Sequence, residues 1–520
     1  MTHLNEMTDD TRTSVRLLGG QTTVVMGGTA FTFLVGLPFQ IYLARSLGVV
    51  GLGTLGVAEA LVHTMGGVLS FGLASLAVRY IPEYQIIGAT RAIQVLLAMV
   101  FLVLGCVGAL GAALVMPLAG WLPVGVIGPE SMALLGVLGL LLPISMLSFF
   151  LAQSLRGFQE IRIMVLSTSV LALVCKVLLT VVLFTMQGAS LRAYAWAMVI
   201  SQGVAALPMG YALWRLVRVL PAEDERTPVD WSAWASYAGT NYFAGLLGTL
   251  VGNLDRIVIG ALLGPAAVGI LMIVRQLQQF PAVFHKAVLT VVSPIFAKLK
   301  AAGKMNALAH QLHLSNDWIV RMATPLILVL AILPDHILML YGSDFSAEGT
   351  SLLLLMTFAV SISLGTGPVG ILLNMTGHHV ALLRITVLTS LLVFVGYFTL
   401  IPVFGVAGVG LAILVGDSIT NGAGIWLVQK RLRTTWYDPR FRGWVLPTTA
   451  AAAVLFALRP AFEGLQGLGA QAMLLVAAAI TAYFVFFGVN LLAGLHEDDR
   501  EVIAAVRARL VALLSRGVQS

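Results

Sequence analysis

Four basic residues lie inside long apolar segments of this 520-residue chain. A charged side chain in the hydrocarbon of a bilayer costs about 2.5–3.5 kcal/mol on insertion scales, so it persists where it faces a wet cavity or an opposite charge. Basic side chains in such a cavity bind anions, and a guanidinium grips two phosphate oxygens at once. We therefore predict a cationic cavity for an anionic group such as a diphosphate. Its candidate binding residues are Arg256, Arg275, Lys286, Lys176, Asn253 and Gln279.

Acidic residues and a histidine share the apolar segments with these cations. Glu59, His63, Asp255 and Asp417 are candidates for relaying a proton or cation, or for acting as counter-ions of the basic residues. A carboxylate near an Arg ionises readily, whereas an isolated one in a low dielectric stays neutral. The structural alternative is that polar groups such as Asn253 join helices by hydrogen bonds. For Asp417 that alternative is a local polar contact with Asn421, four residues later.

Other motifs point to neither a metal nor a cofactor, and we predict none. His378 and His379 are adjacent and have no third ligand nearby. Residues 365–370 match G-x-G-x-x-G, but they lie in an apolar segment and follow no strand, so a dinucleotide site is excluded. The formal charge of +7 comes from basic residues in short loops between apolar segments, which argues against a nucleic-acid partner.

The elements that position these residues must be membrane helices. The chain is 59% hydrophobic and 10% charged, whereas a soluble domain carries about 25% charged residues. Its apolar runs are continuous and close to the roughly 20 residues that span a bilayer, which favours helices over a barrel. We predict an all-α integral membrane fold of about fourteen transmembrane helices. Their approximate ranges are 17–44, 54–78, 92–118, 132–155, 163–186, 192–214, 234–262, 266–296, 317–341, 349–375, 380–402, 405–429, 443–458 and 470–493.

The distribution of basic residues orients these helices. With the N-terminus in the cytoplasm, nearly all loop Lys and Arg residues fall on the cytoplasmic side, as positive-inside orientation requires. The outer segments hold only Arg45, Arg192 and Arg459. We therefore expect both termini to be cytoplasmic. The predicted domains are a cytoplasmic N-terminus (1–16), a six-helix N-terminal lobe (17–214), a cytoplasmic linker (215–233), a six-helix C-terminal lobe (234–429), two extra transmembrane helices (430–493) and a cytoplasmic amphipathic tail (494–520).

An internal repeat relates the two lobes. At one constant offset Gly48 aligns with Gly264 and Gly53 with Gly269. The same offset superposes two stripes that each follow one helix face at i, i+4, i+7 and i+11. The first begins with Glu59 and His63, and the second with Arg275 and Gln279. A transporter built from pseudo-symmetric repeats has its substrate path between them, so we expect these stripes to face one another across a central cavity.

Several short motifs resemble the polysaccharide flippase branch of the multidrug/oligosaccharidyl-lipid/polysaccharide exporter superfamily, from about residue 15 to residue 430. They are Ala44-Arg45-Ser46-Leu47-Gly48 leading to Gly53, Gly72-Leu73 with Arg79-Tyr80-Ile81-Pro82-Glu83, Leu155-Arg156-Gly157, Asn253-Leu254-Asp255-Arg256, Leu263-Gly264 leading to Gly269, and Leu373-Asn374-Met375-Thr376-Gly377. The resemblance implies two six-helix lobes, an inner cavity and export of lipid-linked sugars by alternating access.

The expected function is translocation of a polyprenyl-diphosphate-linked oligosaccharide across a bacterial cytoplasmic membrane. Its expected partners are this substrate, membrane lipids and, as further candidates, polysaccharide-assembly proteins. The first alternative is a cation-coupled small-molecule or multidrug exporter of the same superfamily. The resemblance implies that such exporters have a similar fold and use acidic residues of the N-terminal lobe for cation coupling. Glu59 in the second helix is compatible with that alternative. A membrane polysaccharide polymerase is a second alternative, but the outer loops are too short for a catalytic platform.

Overall fold

The computed structural model describes the backbone of residues 2–120, 129–221, 229–463, 465 and 467–493, without the side chains of 2–23, 118, 119, 129–131, 133, 244, 251 and 493. Its regular elements within these ranges are all helices. A π-helical segment at Leu166–Leu171 and a 3₁₀ helix at Pro439–Trp444 accompany the α-helices. The α-helices are α1 (Thr2–Leu69), α2 (Ala74–Ile86), α3 (Thr90–Ala119), α4 (Pro129–Leu138), α5 (Leu141–Gly157), α6 (Ile161–Val165), α7 (Ala172–Gln187), α8 (Leu191–Arg218), α9 (Trp231–Leu263), α10 (Pro265–Ala301), α11 (Met305–Ile332), α12 (Pro334–Met339), α13 (Ser343–Thr366), α14 (Val369–Met375), α15 (His379–Phe404), α16 (Val406–Leu432), α17 (Val445–Leu458), α18 (Pro460–Glu463) and α19 (Leu468–Ala493).

The predicted all-α membrane fold is confirmed. Thirteen helical stretches among the described residues are long and apolar enough to cross a membrane. The first of them, Val24–Leu69, is 46 residues long, which is about twice what one crossing needs. It is broken at Gly48, whose φ of 71° and ψ of 175° are not helical. Each half is long enough to span, so the count agrees with the fourteen predicted helices.

Several predicted spans are interrupted rather than continuous, two of them at a glycine with a positive φ. The span predicted at 54–78 ends with α1 at Leu69, and the positive φ angles of Phe71 and Gly72 separate it from α2. A Cβ on Gly72 would collide with the backbone of α9 at Ala238 and Tyr242, so only glycine permits this close approach. The span predicted at 349–375 is broken at Gly367, where φ is 66°, into α13 and α14.

The chain divides into two compact units, Met1–Met272 and Ile273–Ser520. The predicted domain boundaries stay predictions, and the amphipathic tail at 494–520 and residues 222–228 of the linker lie outside the described residues.

In the N-terminal unit, an aromatic cluster packs α2 against α9. The buried indole of Trp234 donates a hydrogen bond of 2.9 Å to the Tyr84 hydroxyl. The guanidinium of Arg79 lies 4.5 Å from the ring centroid of Tyr237 and 5.2 Å from that of Tyr80, both within cation–π range. Asp230 caps α9 by accepting a hydrogen bond from the Ala233 amide. These contacts hold the first turns of α9 against α2.

In the C-terminal unit, polar contacts attach α17 and α19 to α11. Asp317 is 1% exposed and forms an ion pair of 2.9 Å with Arg321. It also accepts a 2.7 Å hydrogen bond from the Trp444 indole, at the start of α17. Further along α11, the Met322 carbonyl accepts a 2.8 Å hydrogen bond from the Tyr483 hydroxyl on α19.

The loop before the 3₁₀ helix holds a second charged contact of the C-terminal unit. Asp438 lies 3.1 Å from both His313 Nδ1 and Arg440 Nε. Burial alone would raise the pKa of Asp438, but the hydrogen bond from the Arg440 amide and the Arg440 charge outweigh it and hold the pKa below its ordinary value of 3.8.

The repeat predicted from glycine positions is visible in the backbone. Gly48 and Gly264 adopt nearly the same non-helical conformation, with φ of 71° and 83° and ψ of 175° and 178°. Gly53 and Gly269, the other aligned pair, pack against each other. A Cβ on Gly53 would collide with the Pro265 carbonyl and lie 2.9 Å from the Gly269 nitrogen, and a Cβ on Gly269 would collide with the Val49 carbonyl. The contact is reciprocal. The two residues that the glycines meet, Val49 and Pro265, are separated in sequence by the same offset as the glycines themselves.

Candidate functional site

The acidic candidate of α1 interacts electrostatically with a cation of the N-terminal unit. Glu59 interacts electrostatically with Lys176 on α7 and with the buried hydroxyl of Tyr194 on α8. The sequence analysis offered Glu59 as a counter-ion of the basic residues, and Lys176 is the basic candidate with which it interacts here. Because Lys176 comes from a helix far along the chain, spacing within one helix could not reveal this pairing.

Three candidate residues lie in succession on α9 and use their hydrogen-bonding groups differently. Asn253 donates from its amide to the Thr249 carbonyl at 3.0 Å, one turn earlier. Asp255 is 4% exposed and accepts a 2.7 Å hydrogen bond from the backbone amide of Arg256. The Arg256 Nε atom is buried and has no hydrogen-bond partner among the described residues. A buried charged donor in that condition is costly, and an anion would satisfy it.

The C-terminal unit holds the basic stripe of α10. Lys286 and Gln279 are exposed side chains joined by a 2.8 Å hydrogen bond from the Lys286 ammonium to the Gln279 carbonyl oxygen. Arg275 is half-buried and interacts electrostatically with Asp417 on α16. Asn421 donates to the Asp417 backbone carbonyl at 2.8 Å, so their local contact leaves the carboxylate available to Arg275.

A cavity of about 540 Å³ lies inside the N-terminal unit. His63, Gly66 and Ser70, which continue the predicted stripe of α1 at i+4, i+7 and i+11 from Glu59, line it together with Gly245 and Thr249 of α9. Part of the stripe that the sequence predicted on α1 therefore lines a cavity. Its volume falls within the range of ordinary small-molecule sites.

Sequence reasoning missed the other polar residues that line this cavity. They are Ser145 and Ser148 of α5, Thr168 of the π-helical segment and Gln202 of α8. The only available signal was a serine or an amide in an apolar run, which usually bonds to its own helix. The stripes Glu59/His63 and Arg275/Gln279 belong to different units, and their predicted juxtaposition stays a prediction.

Comparison with solved structures defines the class of fold. The lipid II flippase MurJ in an inward closed conformation is 12% identical, with a TM-score of 0.64, and the alignment covers 90% of this chain and 98% of that one. A point mutant of the Vibrio cholerae MATE transporter VcmN is 18% identical, with a TM-score of 0.54 over 80% of this chain and 97% of that one. A MOP-superfamily transporter from Pyrococcus furiosus is 14% identical, with a TM-score of 0.56 over 80% and 95% of the respective chains. The chain is therefore a multi-pass membrane protein with the MurJ/MATE fold.

Sequence comparison then identifies the family. The profile of the polysaccharide biosynthesis protein family matches residues 18–300, which is more than half of the chain. The chain belongs to this family, which agrees with the resemblance seen in its motifs. Comparison with curated proteins found no matching sequence.

Proposed function

We propose that the protein is a flippase that moves a polyprenyl-diphosphate-linked oligosaccharide from the inner to the outer leaflet of a bacterial cytoplasmic membrane, with both termini in the cytoplasm. Membership of the polysaccharide biosynthesis family, on the fold shared with a lipid II flippase, carries this proposal. Sugars and diphosphates cannot cross hydrocarbon unaided, whereas the polyprenyl tail stays in the bilayer. The protein therefore needs a polar interior for the headgroup only.

Arg256 is the residue of the N-terminal unit best suited to bind the substrate's diphosphate. Its Nε is buried and lacks a hydrogen-bond partner among the described residues, so a phosphate oxygen would relieve that cost. In the C-terminal unit, Arg275 and the exposed Lys286 supply positive charge that suits an anion. Asp417 offsets part of the Arg275 charge.

Lipid-linked oligosaccharide in living cells provides the first test. Deletion of the gene should trap the intermediate on the cytoplasmic leaflet, and re-expression of the intact chain should release it. A hydrogen bond to a charged group contributes about 1.5–3 kcal/mol, so Arg256→Ala should slow release by about tenfold or more. Arg256→Lys should restore part of it, because the charge remains but the planar fork is lost.

The matched control removes an exposed cation at the last turn of α10. Lys300→Ala should release the intermediate at the intact chain's rate. If deletion leaves the lipid-linked sugar unaffected but makes cells retain cationic drugs, the protein is a cation-coupled exporter and not a flippase. If deletion changes the length of the polysaccharide chains while translocation continues, the protein is a polymerase and not a flippase.

A further inference from the structure

The cavity of the N-terminal unit has a lining unlike the cationic residues assigned to the diphosphate. Five separate helical elements contribute polar groups to it, including His63, Ser145, Ser148, Thr168 and Gln202. No Asp, Glu, Lys or Arg is among the described residues that line it. An anion would find no fixed opposite charge there, and a metal ion or small cation would find no carboxylate.

One of these polar groups lacks a hydrogen-bond partner among the described residues. The side-chain oxygen of Ser148 is buried and has no partner among the described residues, in a residue that is only 2% exposed. Serine and threonine in helices usually donate to a carbonyl three or four residues earlier, as Ser145 does to Leu142 and Thr168 to Met164. Buried hydroxyls without partners are uncommon because each forfeits its bonds to water. Ser148 is therefore suited to a ligand that offers its own donor or acceptor.

The remaining lining completes a site for a neutral polyhydroxylated group. Gln202 supplies both a carbonyl acceptor and amide donors, and the ring nitrogens of the exposed His63 add further hydrogen-bonding capacity. Phe149, which is 57% exposed, adds an aromatic surface at the same cavity. A sugar ring combines hydroxyls that both donate and accept with apolar C–H faces, which matches this mixed lining.

We propose that this cavity binds a sugar unit of the substrate headgroup, separately from the basic residues that bind the diphosphate. The proposal rests on the proposed flippase function and adds to it a second recognition element. Specificity for the sugar then comes from neutral hydrogen bonds, while the diphosphate, common to all such lipids, provides charge-based affinity. A site that hydrogen-bonds a hydroxyl rejects analogues lacking it, since its own polar groups are left unpaired.

Two probes, each carrying one part of the substrate, distinguish sugar binding from diphosphate binding by the purified full-length chain. The first probe is the free oligosaccharide, released by mild acid from the lipid-linked intermediate that accumulates in deletion cells. The second is polyprenyl diphosphate without sugar. Ser148→Ala should weaken oligosaccharide binding about threefold to tenfold, the value of one neutral hydrogen bond, and leave polyprenyl diphosphate binding unchanged. Arg256→Ala should show the opposite pattern.

A second serine of the same helix is the matched control. Ser154 is fully buried on α5, but its hydroxyl donates to the Phe150 carbonyl at 2.9 Å and does not line the cavity. Ser154→Ala should bind both probes as the intact chain does. Ser148→Ala should also unfold at the same or a higher temperature than the intact chain, because it removes an unsatisfied buried group. Weakened binding in that variant then reflects the lost hydroxyl and not a loss of fold.

Three results would overturn the sugar site. Equal oligosaccharide binding by Ser148→Ala and Ser154→Ala would show that the hydroxyl makes no contact with sugar. Equal weakening of both probes by Ser148→Ala would show that the cavity does not distinguish sugar from diphosphate. If Ser148→Ala weakened binding of a cationic dye such as rhodamine 6G but left oligosaccharide binding intact, the cavity would be a drug-binding pocket. If the intact chain translocates lipid-linked oligosaccharide in each of these cases, the flippase function stands and only the sugar site fails.

Discussion

The contact between the two repeat-related glycines makes a quantitative prediction for protein stability. In Gly53→Ala, the added methyl would collide with the Pro265 carbonyl and lie 2.9 Å from the Gly269 nitrogen. Both obstacles are backbone, so no rotamer change relieves them and the helices must separate. Overpacking costs about 1–3 kcal/mol, and we expect the upper end here. At roughly 2 °C per kcal/mol for a large domain, the unfolding midpoint of the purified protein should fall by about 6 °C.

Two further variants show whether the backbone contact is responsible. Gly36 lies on the same helix, and a methyl added there would meet nothing within 4 Å, so Gly36→Ala should not lower the midpoint. Gly269→Ala should resemble Gly53→Ala, and the double variant should cost less than the sum, because helices already separated accept the second methyl. A wild-type midpoint for Gly53→Ala, or strict additivity of the two glycine variants, would refute the reciprocal contact.

Three other predictions concern the C-terminal unit and the topology. Trp444→Phe removes a hydrogen bond to the buried carboxylate of Asp317 and should cost about 1.5–3 kcal/mol, measured as a lower unfolding midpoint. Because the pKa of Asp438 is held below 3.8 in the folded protein, its ionised form stabilises the fold above that pH, and this contribution is lost as the pH falls through the lowered pKa. Asp438→Asn should therefore flatten the acid limb of the stability profile. Cysteines placed at Lys300 and Arg433 should react with impermeant reagents only from the cytoplasmic side, and labelling from outside would reverse the predicted orientation.

Sequence alone predicted the features that depend on local periodicity and composition. The number of spans follows from apolar run length, and the repeat follows from glycines whose lack of a side chain permits both a positive φ at Gly48 and a backbone contact at Gly53. Helix interruptions were harder to predict. The chain around Gly367 is apolar on both sides, so hydropathy joins α13 and α14 into one span.

Partners from distant helices could not be predicted, because they depend on how each helix is rotated and packed. The electrostatic interaction of Glu59 with Lys176 joins α1 to α7, and the hydrogen bond from Trp444 to Asp317 joins residues 127 apart in sequence. Ser148 shows the same limit for a binding site. Nothing in its local sequence distinguishes a hydroxyl bonded within its helix from one left for a ligand, and only the packing of seven helical elements creates the cavity around it.

The flippase proposal is tested most directly by transport in reconstituted vesicles. The purified chain is placed in proteoliposomes that contain lipid-linked oligosaccharide, and sugar on the outer leaflet is removed by a membrane-impermeant glycosidase. We predict that inner-leaflet sugar then becomes accessible much faster than in protein-free vesicles. With Arg256→Ala it should become accessible at least about tenfold more slowly than with the intact chain. If the folded, intact chain leaves the inner-leaflet sugar as protected as it is in protein-free vesicles, the chain is not a flippase for this substrate.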